Sequence, residues 1–351
     1  METRDRQRRK TTQGATIRDV AARAGVSPMT VSRVINREAN VRPETRDLVN
    51  EVIRELSYAP NPAARSLAGS APARIGLLYD NPSAGFLSEF LVGVLDESSL
   101  TGSQVVLERC VDDQALMPAF NKLISNGCDG LILTPPLCEA PQVLAEVRQA
   151  DIAAVAVAVG EPLSELASIR IDYHAAAFEL TQHLLDLGHR RFGFIKGDPN
   201  QSSSKLRCEG FMAALAAAGI DPATVGVEQG FYTYRSGLDA AEKLLARSPR
   251  PTAIFAANDD MAAATLTVAH RVGLSVPQDI SVVGFDDTPI ASTVWPALTT
   301  VRQPISAMAH MAVDLVLEES RRARRGGEPP QRIHPHVVVV RESSGPAPKE
   351  D

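Results

Sequence analysis

The sequence predicts an α/β protein in two parts: a three-helix head over residues 16–60 and, over residues 73–342, two lobes of doubly wound parallel sheet. Three observations predict it. Residues 16–58 carry only helical periodicity. From about residue 73, short continuous apolar runs alternate with longer amphipathic stretches, the pattern of parallel strands covered by helices on both faces. Those runs form two groups, before and after roughly residue 172, which implies two similar lobes.

The head opens on Thr16-Ile17-Arg18-Asp19, a capping box in which Thr16 is the N-cap and Asp19 answers three residues later. Ile17, Val20, Ala21 and Ala24 follow on one helical face, and Gly25 ends the helix in a tight turn. Ser27 suits the next N-cap, and Pro28 suits the first helical position, where no hydrogen bond is lost. Val31 and Val34 then point inward, leaving Met29, Thr30, Ser32 and Arg33 outside. A third helix starts near Pro43 and buries Val49, Val52, Ile53 and Leu56. Helix, glycine turn, capped helix and packing helix describe a DNA-reading helix-turn-helix. A three-helix bundle without a nucleic-acid role is the alternative.

Pro60-Asn61-Pro62 through Gly69-Ser70-Ala71-Pro72 forms a Pro/Gly-rich joint. Beyond it, strands are expected at 75–79, 105–107, 130–133, 153–159, 192–195, 253–256 and 281–285, and a last one at 337–340. Helices are expected at 208–218, 237–246 and 261–272.

The 351 residues carry a formal charge of −6, but residues 1–70 hold 13 Lys/Arg against 8 Asp/Glu and the remainder 23 against 34. A basic head on an acidic body concentrates phosphate binding at one end. Cys110, Cys128, Cys138 and Cys208 lack metal-finger spacing and read as free thiols of a reducing compartment. His183, His189 and His270 share no metal-ligand spacing and receive no role. No cofactor motif is present: GxGxxG after the first strand, the P-loop and the GxSxG elbow are all missing, which argues against an enzyme. Residues 1–13 are polar, unlike a signal peptide, and the longest apolar run, 152–159, is far short of the ~20 residues of a membrane span. A cytoplasmic protein is expected.

Thr16-Ile-Arg-Asp-Val-Ala-Ala-Arg-Ala-Gly-Val-Ser27 with Thr30-Val-Ser-Arg-Val-Ile-Asn36 resembles the head of the lactose/galactose repressor (LacI/GalR) family. Tyr58-Ala-Pro-Asn61 and Leu67-Ala-Gly69 resemble its hinge. Arg207-Cys-Glu-Gly-Phe211, Ala257-Asn-Asp259, Val282-Val-Gly-Phe-Asp-Asp-Thr288 and Leu298-Thr-Thr-Val-Arg-Gln303 extend the likeness to about residue 342. The resemblance implies a transcriptional repressor controlled by a small molecule, most simply a sugar, that binds between the lobes. Its body would be similar to periplasmic sugar-binding proteins, with three crossings between lobes. The first lobe would take 73–171 and 304–330, the second 172–303 and 331–342. Residues 61–72 would be a hinge helix and linker, and 1–15 and 343–351 disordered tails.

By the same resemblance, Pro28 and Met29 read bases by apolar contact and Arg33 offers a bidentate pair to guanine. Ser27, Thr30, Ser32, Asn36 and Thr45 hold phosphates. Asn61 belongs to the hinge, and Leu67 is the wedge entering the minor groove. In the cleft, Arg207 matches an effector residue. Asn258 and Asp286 follow apolar strands, where ligands of such sheets sit, though either could merely cap a strand end. Tyr232 offers an aromatic plate. The family usually has an acid near the end of the fourth first-lobe strand, where this chain reads Ala156-Val-Ala-Val-Gly160, and Asp80 is the expected substitute. Partners implied are a pseudo-palindromic double-stranded DNA operator, a sugar-like effector and a second copy of the chain. A homodimer is expected because 341–351 has no heptad pattern with which to build a tetramer.

Overall fold

The computed structural model describes residues 16–35, 41–56, 72–80, 82–110, 113–322 and 328–349. It divides into two compact units, Met1–Pro72 and Ala73–Asp351.

In the head, α1 (Ile17–Ala24), α2 (Pro28–Ile35) and α3 (Pro43–Glu55) enclose an aliphatic core of Val20, Ala21, Ala24, Val31, Val34, Val49 and Val52. The Asp19 carboxylate accepts from the Thr16 backbone N–H at 2.7 Å and from its hydroxyl at 2.6 Å, which holds its pKa below the usual carboxylate range. Gly25 takes the left-handed conformation (φ 66°) that turns the chain after α1. Ser27 Oγ then accepts the Thr30 N–H at 3.1 Å and starts α2.

The body holds two parallel sheets. The first combines β1 (Arg74–Tyr79), β2 (Gln104–Arg109), β3 (Gly130–Leu133), β4 (Ala153–Val157) and β5 (Ala167–Ile171) with the late strand β11 (Gln331–His334), in the order β2-β1-β3-β4-β5-β11. Helices α4 (Ala84–Thr101), α5 (Asp113–Ser125) and α6 (Pro141–Gln149) connect its strands, and α12 (Ile305–Arg322) packs on α4 and β4. In the second sheet β6 (Phe192–Lys196), β7 (Gly226–Gln229), β8 (Ala253–Ala256) and β9 (Ser281–Val283) run in the order β7-β6-β8-β9. With it go α7 (Tyr173–Asp186), α8 (Ser202–Ala217), α9 (Tyr234–Leu245), α10 (Asp259–Arg271) and α11 (Pro289–Thr293). Strands β10 (Thr300–Arg302) and β12 (Val337–Val339) pair antiparallel at its border. Strand order reverses beside β1 in one sheet and beside β6 in the other, so a crevice opens at the carboxyl ends of both. Strands β5, β7, β10 and β11 are not among those expected from the sequence.

The chain crosses between sheets after β5, after β10 and after β11. The third crossing corrects the expected boundary between 330 and 331: Gln331–His334 lies parallel to β5 and covers its open edge. Gln331 Nε2 fixes that register by donating to the Leu163 and Leu166 carbonyls at 3.0 and 2.9 Å.

A second correction concerns the tail. Residues 343–349 are ordered against the second sheet, because buried polar groups there need partners. Ser343 is wholly buried; its Oγ donates to the Val282 carbonyl and accepts the Thr299 N–H at 2.8 Å. Ala347 N–H donates to the Leu187 carbonyl at 2.9 Å. His189, to which the sequence assigned no role, is the polar hub: its Nδ1 lies 3.0 Å from Thr252 Oγ1, and its Nε2 lies 3.0 Å from Ser281 Oγ and 3.1 Å from the Gly345 carbonyl. Burial pushes the His189 pKa below the ordinary imidazole value. A folded pKa below the unfolded ~6.5 means the neutral ring stabilises the fold fully above ~6.5, and the effect is lost as pH falls. His189→Ala is therefore expected to cost about 1–3 kcal/mol at pH 8 by stranding its partners, and less at pH 5. Urea unfolding at both pH values checks this; an equal gap at both would contradict it.

Candidate functional site

The run Gly284-Phe285-Asp286-Asp287-Thr288 leaves β9 and builds one wall of the crevice, each residue for a separate reason. A Cβ on Gly284 would fall 2.3 Å from Asp259 Oδ1, so only glycine leaves room for that buried carboxylate. Asp259 in turn accepts the Thr288 N–H at 2.8 Å and the Thr300 hydroxyl at 2.6 Å, tying α10 to the start of α11 and to β10. Asp287 takes Arg302 Nε and Arg341 Nη2, both at 2.6 Å. Asp286 has a positive φ of 111°, unusual outside glycine, and its N–H donates to the Val301 carbonyl at 2.8 Å. That conformation aims its carboxylate at Arg207.

Arg207 lies on α8 one turn before Phe211, and the i, i+4 spacing puts both on the same buried face. Gly210 lets α8 approach α7, since a Cβ there would lie 2.2 Å from the His174 carbonyl oxygen. The Arg207 and Asp286 side chains are each only 5% exposed and stand 3.4 Å apart. The guanidinium carbon sits 3.9 Å from the Phe285 ring centre, 5.1 Å from that of Tyr173 and 5.5 Å from that of Tyr232. Its Nη1 also donates to the Ala257 carbonyl. Gln303 Nε2 donates to Asp286 Oδ1 at 2.7 Å. Burial outweighs the neighbouring guanidinium and lifts the Asp286 pKa to about 7.

Tyr232 is held in place by two other residues. Its backbone has φ 60°, and its ring lies where a Gly197 Cβ would be, 2.0 Å from Cζ. Asn258 Nδ2 donates to the Tyr232 carbonyl at 2.9 Å, while Asn258 Oδ1 accepts the Met261 N–H at 3.0 Å. Asn258 thus caps α10 and positions Tyr232, and it is not among the residues lining the cavity.

The crevice between the sheets is narrow and is walled by Arg207, Asp286 and Tyr232 together with Ser83, Gln201, Ser203 and Gln303, with Phe86, Pro135 and Ala158 as its apolar part. Ser83, Gln201, Ser203 and Gln303 were not singled out from sequence; of these, only Gln303 had a visible signal, as the end of the Leu298–Gln303 run. Asp80 is half-buried after β1 and does not line the cavity. The carboxylate that reaches the stretch after β4 belongs instead to Glu139, which accepts the Gly160 N–H at 3.2 Å and the Ser202 N–H at 2.8 Å. Among the described residues no group of three or more His, Cys, Asp or Glu is placed to hold a metal.

On the head, Pro28, Met29 and Arg33 are exposed along α2, beside half-buried Thr30 and Ser32, and Thr45 is half-buried on α3. Ser27 is exposed, with its hydroxyl 2.9 Å from that of Thr30. Asn36, Asn61 and Leu67 lie outside the described residues.

Residues 16–61 match the family model for bacterial regulatory proteins of the lacI family, and residues 181–344 match a periplasmic binding protein-like domain. Catabolite control protein A of Priestia megaterium is 34% identical over 305 residues, spanning 86% of this chain and 91% of that one. The chain belongs to the LacI family. Two solved structures share the fold at a TM-score of 0.70: the transcriptional regulator CelR–cellobiose complex (31% identity, 94% of this chain and 99% of that chain) and the Lac repressor dimer bound to operator and the anti-inducer ONPF (29% identity, 95% and 100%). This LacI-family chain is a DNA-binding regulator of transcription and not an enzyme. No described helix is long and apolar enough to cross a membrane.

With a folded pKa near 7 against ~3.9 unfolded, Asp286 favours the fold below ~3.9 and loses that effect as pH rises to 7. Removing the guanidinium raises its pKa further, so the loss continues above 7. Arg207→Ala is expected to cost about 3–5 kcal/mol at pH 8 by breaking a buried pair, and less at pH 5.5. Denaturant unfolding at both pH values tests this, and a loss independent of pH would refute the pairing.

Proposed function

We propose that this chain is a homodimeric repressor that reads a pseudo-palindromic operator with the exposed face of α2, and whose affinity for it is set by a neutral polyol, a sugar or sugar derivative, held between the lobes. The observation that carries the effector class is the cavity wall. Sugar hydroxyls both donate and accept. The wall offers a carboxylate, a guanidinium, the amides of Gln201 and Gln303 and the hydroxyls of Ser83 and Ser203, with Tyr232 and Phe86 against an apolar sugar face. Arg207 is the cation among the described cavity residues and is already paired with Asp286, which disfavours a phosphate. The relative crystallised with cellobiose supports a sugar, and the Lac repressor dimer on its operator supports a two-copy reading unit.

For regulation the effector must bind the DNA-competent and DNA-incompetent arrangements unequally, since equal binding shifts nothing. The family resemblance assigns Leu67 to a minor-groove wedge, with Asn61 in the same hinge and Asn36 on a phosphate. Among the cleft residues, Arg207, Asp286 and Tyr232 would touch the effector, while Asn258 would act by holding Tyr232.

Two experiments test this reading. Thermal unfolding of the full chain against neutral sugars and sugar phosphates should identify a neutral sugar that stabilises it, by about 2.7 kcal/mol at a hundredfold excess over Kd; stabilisation by phosphorylated ligands alone would overturn the effector class. On DNA, Arg33→Ala should lose about 1–3 kcal/mol of discrimination at one base pair of each half-site, while Thr45→Ala weakens all sequences alike. An unchanged ratio of operator to scrambled affinity in Arg33→Ala would remove Arg33 from base reading.

A further inference from the structure

Helix α8 of the second lobe has no cap of its own. Its N-cap residue, Gln201, makes no side-chain capping bond, although a 16-residue helix leaves unpaired N–H groups and a partial positive charge at that end. The cap comes from the other lobe. Leu137 and Cys138 are buried and anchor the short 3₁₀ turn Leu137–Glu139, which projects Glu139 beyond the first sheet. Its Oε2 accepts the Ser202 N–H at 2.8 Å, and its Oε1 accepts from the Ser202 hydroxyl and, at 3.2 Å, from the Gly160 N–H. Gly160 N–H also reaches Ser202 Oγ at 2.8 Å. The approach is so close that a Cβ on Gly160 would lie 2.4 Å from Ser202 Oγ and 2.8 Å from the Ser203 nitrogen. One carboxylate therefore joins β4's end in the first lobe to the α8 N-terminus in the second, next to the cavity residues Gln201 and Ser203.

We propose that Glu139 is a built-in clasp that holds the two lobes together through the α8 N-terminus, so that closure of the cleft is driven by a residue of the chain itself. The bonds are charge-assisted and aligned with the helix dipole, which places them among the stronger kind of hydrogen bond. A second interlobe contact is longer: Ser83 Oγ donates to Asp260 Oδ2 at 3.3 Å, where Gly85 also packs against Thr288. Glu139 is thus a positioning residue. It sets how much of the population has its lobes together before any effector arrives, and this would scale the apparent affinity of whatever the cleft binds.

Hydrogen–deuterium exchange of the full-length chain, without effector, tests the clasp separately from the effector class. Glu139→Ala should speed exchange at Gly160 and Ser202 at least about tenfold, the loss expected for hydrogen bonds to a charged group. The acceleration should also reach segments 83–87 and 286–289, which meet at the other interlobe contact. Glu139→Gln, which keeps an oxygen acceptor but loses the charge, should fall between the two and serves as the reading if the alanine variant unfolds. Acceleration confined to Gly160 and Ser202 would reduce Glu139 to a local helix cap, and unchanged exchange would remove it altogether; either overturns the clasp.

Discussion

A buried guanidinium facing a buried carboxylate is the constraint around which the body is arranged. Neither Arg207 nor Asp286 could be taken out of water alone, and the pair is tolerated only if geometry is close and the remaining polar atoms find partners. Partners for most of them come from distant parts of the chain: Gln303 on Asp286, the Ala257 carbonyl on Arg207, and three aromatic rings around the guanidinium, whose buried Nε has no hydrogen-bond partner among the described residues. Gly210 and Gly284 exist to bring the backbone close enough, one for α8 against α7 and one for the Asp259 carboxylate behind the wall. The pair lies where both sheets end, so the same residues that stabilise the second lobe also line its ligand face.

What could be read from residues alone follows from how local each signal is. The capping box at Thr16, the turn at Gly25 and the cap at Ser27 depend on residues three or four apart, and the head has them as expected. The apolar strands were visible for the same reason. Strand β7, Gly-Val-Glu-Gln, is a half-exposed edge with one apolar residue, and β5, Ala-Ser-Ile-Arg-Ile, is interrupted by Ser168 and Arg170; neither has a run long enough to register. The tail misled in the opposite direction. Pro, Ser and Gly usually signal a loose segment, but Ser343 and Gly345 supply partners to Val282, Thr299, Ser281 and His189, contacts that span 44 to 156 residues and leave no local trace.

The cleft divides in the same way. Arg207, Asp286 and Tyr232 converge, and Asn258 stands one layer behind them, because motif residues mark the carboxyl ends of strands without telling which side chain turns inward. Neutral residues such as Ser83 and Gln201 carry no spacing signal. Glu139 had none either: its partners are 21 and 63 residues away, and only the folded chain shows that its carboxylate serves the stretch where Asp80 was expected to act. A scaffold that keeps its ligand wall and changes the residue joining its lobes can alter its closing equilibrium without altering what it recognises.

In the proposed function Asp286 receives the effector directly. An ionised carboxylate accepts hydroxyl hydrogen bonds better than its protonated form, and this group changes state near pH 7. Calorimetric titration of the stabilising sugar into wild type and Asp286→Asn at pH 6 and pH 8 tests this contact. Wild-type affinity should rise with pH across this interval, and Asp286→Asn should bind more weakly, with affinity independent of pH. The same pH dependence in both proteins, or none in the wild type, would contradict it.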